Sequence, residues 1–419
     1  MTAGKADCGM LYAAKRRCSG VAYCALSIRC GTRNEEGFHS GIAHFTEHTL
    51  FKGTAYRSGY SINNYLERLG GELNAFTTKE EIVLQATVLK EDLSKAVGLL
   101  LELASSATFP EKEIETEKGV VIDEIKSYKD SPADDVYDSF EGMLFKGHPL
   151  GRPILGTADS VRKITSEELG RFVWKNFVPE AMALTIVADF DEKTIEKKIN
   201  SLISRYFPST SNGLADYAAA GIRPESGSLY FAPQTNIFDK AVDKRNHEAN
   251  AVIGGIAPSL YDEEGRLATI LLGNILAGPA SNSVLNNILR EKHGWVYGVE
   301  TSYTQYSDTG IFAICLGCEK ENLGKCFDAI SKEIGKLQDT PLSENRLRAA
   351  KKQLLGQLAI SSEGGESKCL GMGKSLLAFG RIAPDEEIRE GIEAITGLRL
   401  METARRLFNK DSVSRLVYL

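Results

Sequence analysis

The chain repeats itself, and the repeat limits its folds more than any single residue does. Lys90-Glu91-Asp92-Leu93-Ser94-Lys95 returns 230 positions later as Lys320-Glu321-Asn322-Leu323-Gly324-Lys325. Each stretch follows an extended apolar run and opens a long apolar helix. Upstream, Asn63-Asn64 returns as Asn286-Asn287 at an offset of 223, so the halves stay in step within one short insertion. The order in each half is two strands, two helices, a hairpin and then long helices. That order predicts an α+β fold in which one unit is used twice.

In the first half, Met10-Leu11-Tyr12 and the run from Val21 to Ile28 read as strands. Helices are predicted near Ser61 to Leu69, Glu91 to Ala104 and Glu111 to Lys129, with a hairpin of Glu72 to Thr77 and Ile82 to Leu89. A helix from Thr165 to Asn176 and a strand from Ala183 to Ala188 complete it. The chain then turns to Ser, Gly, Pro and Ala, which predicts a linker over 211–228 between domains at 1–210 and 229–419.

His44-Phe45-Thr46-Glu47-His48 carries the chemistry. On a helix, imidazoles at i and i+4 project from one side a turn apart, with Glu47 beside them. Two neutral imidazoles at that separation can share one Zn²⁺, and the carboxylate can take a proton from a water there. The alternative is a helix whose polar residues are satisfied within a core, since Ile42, Phe45, Leu50 and Phe51 would bury it. Buried ionisable groups need a partner, and a metal is one. Glu117 and Glu124, seven residues apart, lie on a common face of a later helix.

The second half has Leu272-Gly273-Asn274-Ile275-Leu276 where the first has this motif, so only the first half is expected to hold metal. Cys315-Leu316-Gly317-Cys318 has knuckle spacing without a second pair to complete four ligands. Gly371-Met372-Gly373-Lys374-Ser375 ends like a phosphate-binding loop, but Lys368 stands where the first glycine belongs and no buried strand precedes it. A net charge of −6 argues against nucleic acid as the main partner. No apolar window is long enough for a membrane span, and no secretory signal is visible, which predicts a cytoplasmic protein. The eight cysteines are too sparse for a disulfide scaffold.

The run from Gly41 to Thr54 resembles the zinc segment of the pitrilysin-type (inverzincin) peptidases, in particular the half-length branch containing the mitochondrial processing peptidase and its bacterial relatives. The resemblance continues through Gly70 to Thr77, Glu117 to Glu124, and Leu289 to Lys292 with Tyr297. It implies two α/β-roll units, antiparallel-rich sheets with helices packed on one side, forming half of a clamshell. It implies one Zn²⁺ per chain held by His44, His48 and Glu124, with Glu47 as general base and Glu117 supporting the site. Mn²⁺ or Co²⁺ would suit the same ligands in vitro.

The resemblance also implies that Asn74, Ala75 and Phe76 pair with a peptide as an added strand, and that Arg290 and Tyr297 reach toward substrate. The long glycine loop of the noncatalytic processing-peptidase subunit is replaced here by Ala277-Gly278-Pro279-Ala280-Ser281, so the chain looks like the catalytic type. The expected function is a zinc endopeptidase acting on peptides or unfolded polypeptide, as a homodimer or a heterodimer with a degenerate paralogue. A noncatalytic peptide-binding or assembly subunit is the alternative, and a small-molecule zinc hydrolase is disfavoured by the strand-pairing segment.

Overall fold

The computed structural model describes residues 1–208 and 236–419, and the linker expected at 211–228 lies outside the described residues. The described chain forms two compact units. The first comprises Met1–Lys126, the described stretch from Arg152, and Ile360–Ala383. The second comprises Ser127–Gly151, the described stretch through Ala359, and Pro384–Leu419. Each unit therefore takes a segment from beyond the single cut suggested by the sequence.

The first unit is a six-stranded sheet built from β1 (Thr2–Lys5), β2 (Leu11–Arg16), β3 (Val21–Ile28), β4 (Glu72–Thr77), β5 (Ile82–Leu89) and β6 (Met182–Ala188). Their spatial order is β1-β2-β6-β3-β5-β4, with only β2 and β6 parallel. The second unit holds β7 (Asp239–Val242), β8 (Ala249–Ala257), β9 (Val296–Gln305), β10 (Gly310–Cys318) and β11 (Ser414–Tyr418) in the order β7-β11-β8-β10-β9. There too one pair, β7 with β11, is parallel. The second sheet thus reproduces β2-β6-β3-β5-β4 strand for strand. The repeated hexapeptide does the same locally: Lys90–Asp92 and Lys320–Asn322 each make a 3₁₀ turn leading into a helix, α3 (Leu93–Ser106) and α10 (Leu323–Asp339).

One face of the first sheet carries most of its helices. α1 (Ile42–Leu50), α2 (Gly59–Glu67), α3, α4 (Glu111–Lys129), α6 (Ala158–Lys163), α7 (Ser166–Asn176) and α8 (Ile195–Tyr206) bury Ile42, Phe45, Ile62, Leu100, Val121, Phe172 and Ile199 against Leu26, Leu84 and Leu184. Unlike a sheet covered on one side, it is covered on the other as well. α12 (Gly365–Phe379) packs Cys369, Met372, Leu376 and Leu377 on Ala13, Ala25, Val83, Ala183 and Val187. This explains why β6 is buried along its whole length and reads as a continuous apolar run. In the second unit α5 (Pro132–Leu144) has the matching role, setting Val136, Phe140 and Leu144 against Val252, Ala313 and Leu416.

The phosphate-loop look-alike lies inside α12, where a Cβ on Gly373 would stand 2.4 Å from Ser27 Oγ. Its glycine serves helix-to-sheet approach. Among the described residues, no helix is long and apolar enough to cross a membrane.

The start of α1 is held from two sides. Gly41 and Gly156 have φ of +88° and +70°, and they touch so closely that a Cβ on Gly156 would lie 2.7 Å from Gly41 Cα. The buried Glu35 carboxylate accepts the amides of Gly41 (3.0 and 3.1 Å) and Ala43 (3.1 Å), capping a helix whose N-cap residue has no side chain. Burial raises the Glu35 carboxyl to about 7, against the lowering effect of those amides and of Arg152 and Lys79. A native value above the ordinary 4.5 means that its protonated form contributes stability below pH 4.5, and that this is lost as pH rises through 7. Glu35→Gln cannot ionise, so its stability relative to the parent should improve between pH 5 and pH 8 by on the order of 3 kcal/mol. Thermal unfolding of both proteins across that range checks this, and a constant difference would contradict it.

Candidate metal centre

α1 supplies His44, Glu47 and His48, and α4 brings Glu117 and Glu124 to the two histidines. The apolar face of α1 (Ile42, Phe45, Leu50) is spent on the core. Its two imidazoles are left stacked edge to face on the other side, ring centres 4.6 Å apart. Their Nε2 atoms converge on one oxygen, Glu124 Oε2, at 3.8 Å from His44 and 3.4 Å from His48. One ligand atom from each of these three residues fits within 4.8 Å of the others, and they form the one such cluster among the described residues.

Glu124 Oε2 is buried without a hydrogen-bond partner, and so is His44 Nδ1. An unpaired buried carboxylate oxygen facing two imidazole nitrogens is costly unless a cation joins them. The residues present therefore fit a zinc ion: two imidazole nitrogens and one carboxylate oxygen are a donor set that zinc accepts.

The remaining contacts orient these groups. His48 Nδ1 lies 2.9 Å from Glu117 Oε1, so its N–H donates there, and in the neutral imidazole the lone pair is on Nε2. Lys52 Nζ lies 2.6 Å from Glu117 Oε2. Thr77 Oγ1 donates to Glu47 Oε2 at 2.7 Å.

The electrostatics follow. Burial, then the neighbouring His48, pushes His44 down to about 3, which keeps it neutral as ligation requires. Burial would lower His48 too, but the Glu117 bond and the charges of Glu47 and Glu124 outweigh it and raise the imidazole. Burial raises Glu47, against the Thr77 hydroxyl. For Glu117, burial pushes up but the bonds from His48 and Lys52 win, and it is held below the ordinary carboxylate value.

Asn74, Ala75 and Phe76 lie on β4, the sheet edge whose described partner is β5 alone. The strand ends at Thr77, which touches Glu47, so an open backbone edge runs up to this carboxylate. Arg290 and Tyr297 belong to the second unit. Arg290 is exposed in the π-helical turn Asn286–Lys292. Tyr297 is 55% exposed on β9, and its hydroxyl donates to Glu319, which raises it to about 12. Lys52, Thr77 and Glu35 were not singled out in the sequence. The first two follow His48 and Phe76 within a few residues, but nothing local marks Glu35, whose partners are set by the loop from Glu35 to Gly41.

Comparison with known proteins agrees with this architecture. The profile described as Insulinase (Peptidase family M16) matches residues 13–158, and that of the Peptidase M16 inactive domain matches 163–354. His44, Glu47, His48, Glu117 and Glu124 all fall within the first match. An uncharacterized zinc protease of Rickettsia felis is 30% identical over 392 residues, covering 94% of this chain and 91% of that protein. The uncharacterized zinc protease YmxG of Bacillus subtilis is 29% identical over 391 residues, covering 93% and 91%. The crystal structure of a protease from Helicobacter pylori shares the fold with a TM-score of 0.85 at 18% identity, over 100% of this chain and 98% of that one. The expected kinship with zinc peptidases thus holds at the level of sequence and fold, and the chain belongs to the insulinase family of peptidases, peptidase family M16.

Proposed function

We propose that this chain is a zinc-dependent endopeptidase that hydrolyses peptides or unfolded polypeptide segments. The carrying observation is the buried, unpartnered Glu124 Oε2 facing the Nε2 atoms of His44 and His48. Zinc held by these three residues supplies Lewis acidity, which lowers the pKa of a water and polarises a peptide carbonyl. Glu47 accepts the proton from the attacking water and returns it to the leaving amine nitrogen. Thr77 fixes one oxygen of Glu47, leaving Oε1 for that transfer. Glu117 keeps His48 in the tautomer that ligates through Nε2. The open edge of β4 at Asn74, Ala75 and Phe76 takes the substrate as an added strand, and main-chain hydrogen bonds make binding tolerant of side-chain sequence.

The match of residues 163–354 to a domain described as inactive favours a second reading, a noncatalytic peptide-binding or assembly subunit. That match begins beyond Glu124, so it leaves the ligand set untouched. Glu47→Gln separates the two: it should retain zinc and lose peptide cleavage by about a hundredfold or more. A quenched-peptide assay with parallel metal analysis checks this, and cleavage at the parent rate would remove Glu47 from the chemistry.

For assembly, the proposal is a homodimer in which Arg290 and Tyr297 serve the zinc site of the partner chain, with a heterodimer containing a degenerate paralogue as the other arrangement. One chain carries both the ligand set and this pair, so two copies suffice. The free cysteines suit a cytoplasmic setting. Mixing an Arg290→Ala/Tyr297→Phe chain with a Glu47→Gln chain should restore about a quarter of the activity by random pairing in a closed dimer. Inactivity of the mixture after demonstrated subunit exchange would contradict the shared-site arrangement.

A further inference from the structure

Two carboxylates seven residues apart on α4 both approach the metal centre, and one lysine separates their roles. Both oxygens of Glu117 are committed, Oε1 to His48 Nδ1 at 2.9 Å and Oε2 to Lys52 Nζ at 2.6 Å. Glu124 Oε2 has no hydrogen-bond partner and faces both Nε2 atoms.

Lys52 is no loose surface lysine. Its side chain is only 25% exposed, and its amide donates to Thr49 O at 3.1 Å. The next residue, Gly53, bridges to Ser58 and accepts the Thr108 amide at 3.1 Å. Gly59 packs so near that a Cβ there would meet the Lys52 carbonyl oxygen at 3.0 Å. The backbone is pinned on several sides, so the ammonium is presented to Glu117 from a fixed base.

The geometry points to Lys52 as a positioning residue that holds Glu117 on His48 Nδ1 and out of the metal's ligand set, leaving ligation to Glu124. This rests on the zinc centre proposed above. Without the ammonium, Glu117 Oε2 loses its partner in a buried setting, and Glu117 is free to leave His48 or compete with Glu124 for the cation. A lysine that merely balanced the C-terminal dipole of α1 would act independently of Glu117.

The test is zinc titration of the metal-free 419-residue chain against a chromogenic chelator, using the parent, Lys52→Met, Lys52→Arg, Glu117→Gln and the Lys52→Met/Glu117→Gln pair. Lys52→Met should weaken zinc binding about tenfold and Glu117→Gln by about 10–100-fold, the range for residues that orient metal ligands. Lys52→Arg, which keeps the charge, should stay close to the parent. The double variant should bind no more weakly than Glu117→Gln alone, because Lys52 acts through Glu117. An unchanged affinity for Lys52→Met, or a double variant that shows the product of both losses, would overturn the assignment. Should Lys52→Met fail to fold, Lys52→Gln enters the same cycle. His44→Ala is the separate control: if it bound zinc like the parent, the zinc centre itself would be wrong, whatever Lys52 does.

Discussion

The structure depends on a local conflict: two imidazoles and a carboxylate are held together beside an apolar core. His44 is buried and driven toward neutrality, and the bare oxygen of Glu124 lies against both imidazoles. Taking such groups out of water is costly, and a cation shared among them offsets that cost. The apolar side of α1 makes the arrangement possible. Ile42, Phe45 and Leu50 anchor the helix in the sheet's core, so the polar side has no freedom to turn away.

Around that conflict the fold supplies rigidity at some points and openness at another. Glu35 and the Gly41–Gly156 contact fix where α1 begins, while Glu102 receives Thr54 and Arg57 to hold the loop after it. The exposed part is the edge strand β4, whose alternating exposure differs from the fully buried β6 at the centre of the sheet. Placing an unpaired strand edge against Glu47 is an unusual risk for a protein surface, since free edges invite pairing with other chains. Under the proposed function that invitation is useful, because a substrate strand would answer it. The second unit repeats the strand order without the ligands, and its edge strand β9 carries Tyr297 instead.

Much of this was legible in the sequence where the signal was local. The hairpin of β4 and β5 has the expected bounds, because its alternation and the polar Thr78 to Glu81 turn are short-range features. The spacing of His44 and His48 placed both imidazoles on one helical face, and α4 spans the stretch expected for it. Long-range consequences were not legible. α8 shows Ile195, Ile199 and Ile203 at helical spacing, yet its many charges hid it. The placement of α12 behind the first sheet joins residues far apart in the chain, such as Thr185 and Cys369, and no periodicity reports that. Glu35 and Lys52 look like ordinary surface charges until the backbone brings the first to the amides of α1 and the second to Glu117.

The proposed zinc centre stands or falls on ligation by His44, His48 and Glu124. Zinc-edge X-ray absorption on the zinc-loaded 419-residue chain reads that ligation out. Imidazole nitrogen and carboxylate oxygen should surround the metal at about 2.0–2.2 Å, with the imidazole contribution falling in His48→Ala and the oxygen contribution in Glu124→Ala. A sulfur shell at about 2.3 Å, or a spectrum that neither substitution alters, would contradict it.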